Sequence, residues 1–144
     1  MGDDNIWITT HGIGAIKDSE QSLTISMEDG SASARSPGGP KPTTAWFHFP
    51  IPSPPSDFLN LKAVKVDFNS TGANLGTVVV YAGSKTIFQR GGLSGQHVQL
   101  PFDETAVYDG LGICVSVLVT FLSSESSIKF QSVGIQAWRS DTVN

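Results

Sequence analysis

The chain has 144 residues, enough for one domain with a sizeable buried core and short for two. Only 15% of its residues are charged, while Gly and Pro number 15 and 8, which favours packed strands and turns over helices or disorder. The net charge of −4, with lysines and arginines scattered singly, excludes a basic stripe for nucleic acid, and the single Cys114 excludes an internal disulfide framework.

The N-terminal MGDDNIWITT is acidic and polar, unlike a secretory signal, and Ile6 stands where a myristoylation pattern needs Ser or Thr. A cytoplasmic location is the default expectation, with secretion of a processed form as the alternative. His11 opens HGIGAIK, whose glycines suggest a turn. Lys17 stands where a dinucleotide fingerprint needs its third glycine, so His11 reads as a surface residue.

Period-two alternation then recurs along the chain. SLTISM (22–27) places Leu23, Ile25 and Met27 on one face. TTAWFHFPI (43–51) places Ala45, Phe47, Phe49 and Ile51 on a core face, with Trp46 and His48 opposite. Pro50 and Pro52 cannot donate ladder hydrogen bonds, so this strand should run along an edge or leave its sheet, continuing as a polyproline-like connection. VKVDF (64–68) alternates Val64, Val66 and Phe68 against Lys65 and Asp67. TVVVYA (77–82) is apolar on both faces, as a doubly covered strand would be. HVQL (97–100) sets Val98 and Leu100 against His97 and Gln99.

The run 111–121 carries Leu111, Ile113, Val115, Val117, Val119 and Phe121 on one face. Extended by Leu122, it is still only about half the length of a membrane-spanning helix. IKFQSVGIQAW (128–138) changes phase: Ile128 and Phe130 share one parity, Val133, Ile135 and Ala137 the other. One extra residue near Gln131 and Ser132, a β-bulge, repairs it. About eight strands separated by turns, with no helical or internal repeat, give an all-β fold. The expectation is a single antiparallel β-sandwich of jelly-roll type over 1–144, with a closed barrel as the alternative.

Three landmarks carry a family resemblance: WFHFPIPSP (46–54), GLSGQH (92–97) and GLGICVSVLVTF (110–121). In this order they resemble a family of small microbial β-sandwich proteins, a domain of unknown function found in bacteria and fungi. The resemblance spans roughly residues 45–137 and implies one domain in which Trp46, His48 and His97 matter. It implies no reaction. Gln96 departs from the pattern, where an acidic residue is expected, and Cys114 stands in place of a serine.

The chemistry-bearing residues are sparse. No G-x-S-x-G nucleophile motif is present, and Ser94 in GLSGQH has the wrong spacing. The three histidines lack zinc-ligand spacing, so no metal site is assigned from them. Calcium held by turn carboxylates such as Asp103, Glu104 and Asp109 is the one cofactor alternative to none. Asn69 to Thr71 matches a glycosylation sequon that matters only in a secreted chain. Cys114 reads as a small core residue.

These residues favour a small-ligand binding module, lectin-like or carbohydrate-binding, with a small molecule or glycan as partner. No nucleic acid and no membrane span are expected. Its candidate contacts are Trp46, His48, His97, Gln99 and Trp138, with Trp7 in addition: aromatics to stack and polar groups to orient. A covered Trp46, packed under the proline-bearing loop, is the structural alternative for that residue. A second class is a pocket enzyme for acid–base isomerisation or cyclisation, with His48 and Asp67 as acid and base beside Trp46 and Tyr81. The third is a self-associating homo-oligomer, packed through residues 76–82 or the proline-rich edge.

Overall fold

The computed structural model describes residues 4–11, 16–17, 24–28, 31–35, 43–54, 58, 60–93, 97–107, 112–123 and 125–139. Among them are eleven strands: β1 Asp4–His11, β2 Ile16–Lys17, β3 Thr24–Glu28, β4 Ser31–Arg35, β5 Thr43–Ile51, β6 Asn60–Thr71, β7 Ala73–Ala82, β8 Lys85–Arg90, β9 His97–Val107, β10 Ile113–Phe121 and β11 Ser127–Arg139. The count exceeds the eight expected because the sequences of β1, β2, β4 and β8 carry no long, regular apolar alternation.

All the pairings are antiparallel and fall into two sheets. The first has the order β3-β4-β11-β6-β9, with β1 also on β11; the second has the order β2-β5-β10-β7-β8. From β5 onward the chain passes between the sheets at nearly every connection, as a jelly-roll sandwich does, and no barrel closes.

β11 organises the first sheet. On one edge it pairs with β6 along its length. On the other, Ser127 to Phe130 pair with β4, and Ser132 to Arg139 pair with β1. The register slips between Phe130 and Ser132, leaving Gln131 as the bulged residue that the phase change in the sequence required. The bulge falls where β11 changes partner from β4 to β1, and it lets Ile128, Phe130, Val133, Ile135 and Ala137 all be buried.

The core lies between the sheets. Phe130 of β11 meets Phe47 and Phe49 of β5, with ring centroids 5.1 and 5.0 Å apart and tilted or edge-on geometry. At another point Phe88 of β8 stacks on Phe102 of β9 at 4.6 Å. Each cluster joins a strand of one sheet to a strand of the other. β10 is the central strand of the second sheet, flanked by β5 and β7, and its Ile113, Val115, Val117, Val119 and Phe121 are buried. Among the described residues β5 pairs with β10 throughout and with β2 at Phe47 and His48. The two-residue β7–β8 hairpin loop places Gly83 at φ 62°, where a side chain would be strained.

Candidate functional site

Residues opposite one another in antiparallel strands point to the same face, so the strand registers define the outer surface of the first sheet row by row. Across β1, β11, β6 and β9 the first row reads Asn5, Trp138, Asn60, Val107. The second is Trp7, Gln136, Ala63, Pro101, and the third Thr9, Gly134, Lys65, Gln99. The fourth is His11, Ser132, Asp67, His97. Two indoles, two glutamines and a lysine thus share the centre of one face.

Lys62 joins them through an irregularity in β6. The register skips it, with Ala137 opposite Leu61 and Gln136 opposite Ala63. Lys62, Ala63, Gln99, Pro101, Phe102 and Gln136 line an open hollow of about 500 Å³. Its lining thus combines two glutamines and a lysine with the apolar Ala63, Pro101 and Phe102.

The two tryptophans border this region and each carries a lysine. Lys65 Nζ lies 4.6 Å from the centroid of Trp7, and Lys62 Nζ lies 5.9 Å from that of Trp138, both within cation–π range. Trp7 and Trp138 are half-buried. The indole Nε1 of Trp138 is buried and, among the described residues, has no hydrogen-bond partner, a costly condition for a donor. Farther along, Ser132 Oγ donates to Asp67 Oδ2 at 2.9 Å.

The structure divides the sequence-predicted residues between two surfaces. Gln99, Trp138 and Trp7 come together on the first sheet, and His97 shares the same face by register, its side chain lying outside the described residues. Trp46 and His48 lie on the outer face of the second sheet, opposite Leu118 and Ser116 of β10. Both are half-buried there. His48 Nδ1 and Ser116 Oγ are hydrogen-bonded at 2.7 Å, Cys114 Sγ lies 3.8 Å from the same hydroxyl, and Ser116 is only 1% exposed.

The acid–base pair of His48 with Asp67 is therefore corrected. The two side chains occupy opposite outer faces of the sandwich, with both sheets and the core between them. Tyr81, opposite Cys114, stays on the side of His48, away from Asp67. The hydroxyl of Ser116 is too deeply buried to meet a substrate, so its bond with His48 orders the strand pair.

Sequence reasoning passed over Lys62 and Gln136 and treated Lys65 as an ordinary surface residue. The signal was present in part: once the bulge is allowed for, Ser132, Gly134, Gln136 and Trp138 share one parity, a polar stripe ending in an indole. Among the described residues no group of three or more His, Cys, Asp or Glu could hold a metal ion. Of the calcium candidates, Asp109 and the side chains of Asp103 and Glu104 lie outside the described residues.

No family model matches the chain, and no curated protein matches it. Solved structures do. A low-affinity xylan-binding module, CBM86, from the gut symbiont Roseburia intestinalis is similar with a TM-score of 0.54 at 12% identity, over 92% of this chain and 96% of that one. The CBM36-1 domain of a multidomain xylanase from the hindgut metagenome of Trinervitermes trinervoides gives a TM-score of 0.43 at 11% identity, over 92% and 96%. A family 29 carbohydrate-binding module gives 0.43 at 11% identity, over 98% of each chain. The first likeness places the fold among β-sandwiches of this architecture.

Proposed function

We propose that the chain is a carbohydrate-binding module whose binding face is the outer surface of the first sheet. The observation that carries this reading is the placement of Trp138 and Trp7 in adjacent rows of one face, beside a hollow walled by Gln99, Gln136 and Lys62. An indole offers a flat apolar surface to the C–H face of a sugar ring, and amides match hydroxyls as both donors and acceptors. From strand geometry the two tryptophan positions are roughly 8 Å apart, one strand across and two residues along, so they engage neighbouring parts of an extended chain. The open hollow suits a polysaccharide passing across the sheet better than an enclosed small molecule. The similar sandwich of the xylan-binding module makes xylan the first ligand to test.

Affinity electrophoresis and calorimetry with xylan and mixed-linkage β-glucan test the proposal. Trp138→Ala and Trp7→Ala should each weaken binding by about threefold to tenfold while leaving the circular dichroism spectrum intact. Trp46→Ala, on the other sheet, should bind as the wild type does. Loss of binding in Trp46→Ala alone would move the site to the second sheet, and no binding to any polysaccharide would overturn the proposal.

A further inference from the structure

The proposed face carries a charge pattern that a neutral sugar does not use. Lys62 and Lys65 both rest their ammonium groups on indole rings, at 5.9 and 4.6 Å from the centroids. Among the described residues neither forms an ion pair. The described acid on this face, Asp67, accepts a hydrogen bond from Ser132 in the fourth row. Among the described side chains the centre of the face is thus locally cationic, on a chain whose net charge is −4.

A sugar ring that stacks on Trp7 or Trp138 must take the place the ammonium occupies. With a neutral sugar the cation–π contact is lost and the lysine returns to water. With a uronic acid the displaced ammonium moves to the edge of the same sugar and meets its carboxylate, so the lost contact is replaced by an ion pair. Lys62 also borders the hollow, where a side-branch carboxylate would sit between it, Gln99 and Gln136. Both lysines come from β6, three residues apart, and reach different tryptophans. The face therefore has two stations, each an indole with a cation.

We infer that this face selects acidic, uronate-bearing polysaccharide over its neutral counterpart, with Trp7 and Trp138 as stacking surfaces and Lys65 and Lys62 as the carboxylate receptors. The inference rests on the carbohydrate-binding reading above and adds the chemical class of the glycan.

The test uses the full chain with glucuronoxylan and with the same polymer after chemical reduction of its carboxyl groups, so that only the charge differs. Wild type should bind the acidic polymer about fivefold more tightly than the reduced one. That preference should shrink as salt rises from about 0.05 to about 0.5 M, because a shorter Debye length screens exposed ion pairs. The variant carrying Lys62→Gln and Lys65→Gln should bind both polymers alike, with thermal stability close to wild type. Equal binding of the two polymers by wild type overturns the inference and leaves the carbohydrate reading standing. A preference that survives the double substitution overturns the role given to the lysines. Binding of neither polymer overturns both proposals.

Discussion

Lys65 on β6 and Trp7 on β1 are not on neighbouring strands, yet the Lys65 Nζ lies 4.6 Å from the indole centroid. The strand between them is β11, and the residue it places opposite Lys65 is Gly134, which has no side chain. Thr9 of β1 fills part of that lane: a Cβ added to Gly134 would lie 2.6 Å from Thr9 Cγ2 and 3.2 Å from the Ile8 carbonyl. Gly134 thus holds β1 close to β11 and opens the path across it.

Substitution at Gly134 should show both effects. Gly134→Ala forces Thr9 or the β1 backbone outward, an overpacking of about 1–3 kcal/mol. The expected fall in Tm is roughly 3–10 °C, read by calorimetry. Combining it with Thr9→Ala removes the methyl that clashes and should recover part of the loss. The contact with the Ile8 carbonyl remains, so recovery should be incomplete. Full additivity of the two substitutions would show that Thr9 is not what Gly134 accommodates.

Phe130→Ala should be among the most destabilising core substitutions. The ring is fully buried and touches both Phe47 and Phe49 across the two sheets. Its loss should lower stability by about 3–5 kcal/mol in urea unfolding. Phe88→Ala removes a ring that stacks on Phe102 and lies under the Arg90 guanidinium, from a site that keeps 6% exposure, and should be the milder change.

Much of the fold was legible in the sequence because strand periodicity is local. The phase slip in IKFQSVGIQAW put a bulge near Gln131 and Ser132, and it falls at Gln131; alternation assigned the inward faces of β5, β6, β10 and β11. Strand order was not legible, since it depends on which distant segments pair. Trp46 and Trp138 therefore looked like partners in one site although they lie on different sheets. The same ignorance made His48 and Asp67 plausible neighbours. Trp7 was visible as an aromatic in a polar terminus, but its place beside Gln136 follows only from the β1–β11 pairing. Lys62 was hidden for another reason: it is skipped by the register, and alternation does not announce such a residue.

Ser116→Ala should separate a structural role on the second sheet from a catalytic one. The substitution removes the 2.7 Å bond to His48 Nδ1 at a position 1% exposed. Stability should fall by about 1 kcal/mol, read from the urea midpoint, and polysaccharide binding should be unchanged. A binding defect without a stability defect would make the face of His48 and Trp46 the working one.

Trp138→Phe isolates the indole N–H. Among the described residues this buried donor has no acceptor, so it stands as an unmet desolvation penalty of about 1–3 kcal/mol. Phenylalanine removes the donor and keeps an aromatic ring, exchanging that penalty for some lost packing. Tm should therefore stay within about 3 °C of wild type. That N–H is buried and out of reach of a sugar at the face, so the ring rather than the donor carries the contribution of residue 138 to affinity. Trp138→Phe should then bind polysaccharide within about threefold of wild type, and more tightly than Trp138→Ala, which loses the ring. Binding by Trp138→Phe as weak as that of Trp138→Ala would overturn the stacking role of residue 138.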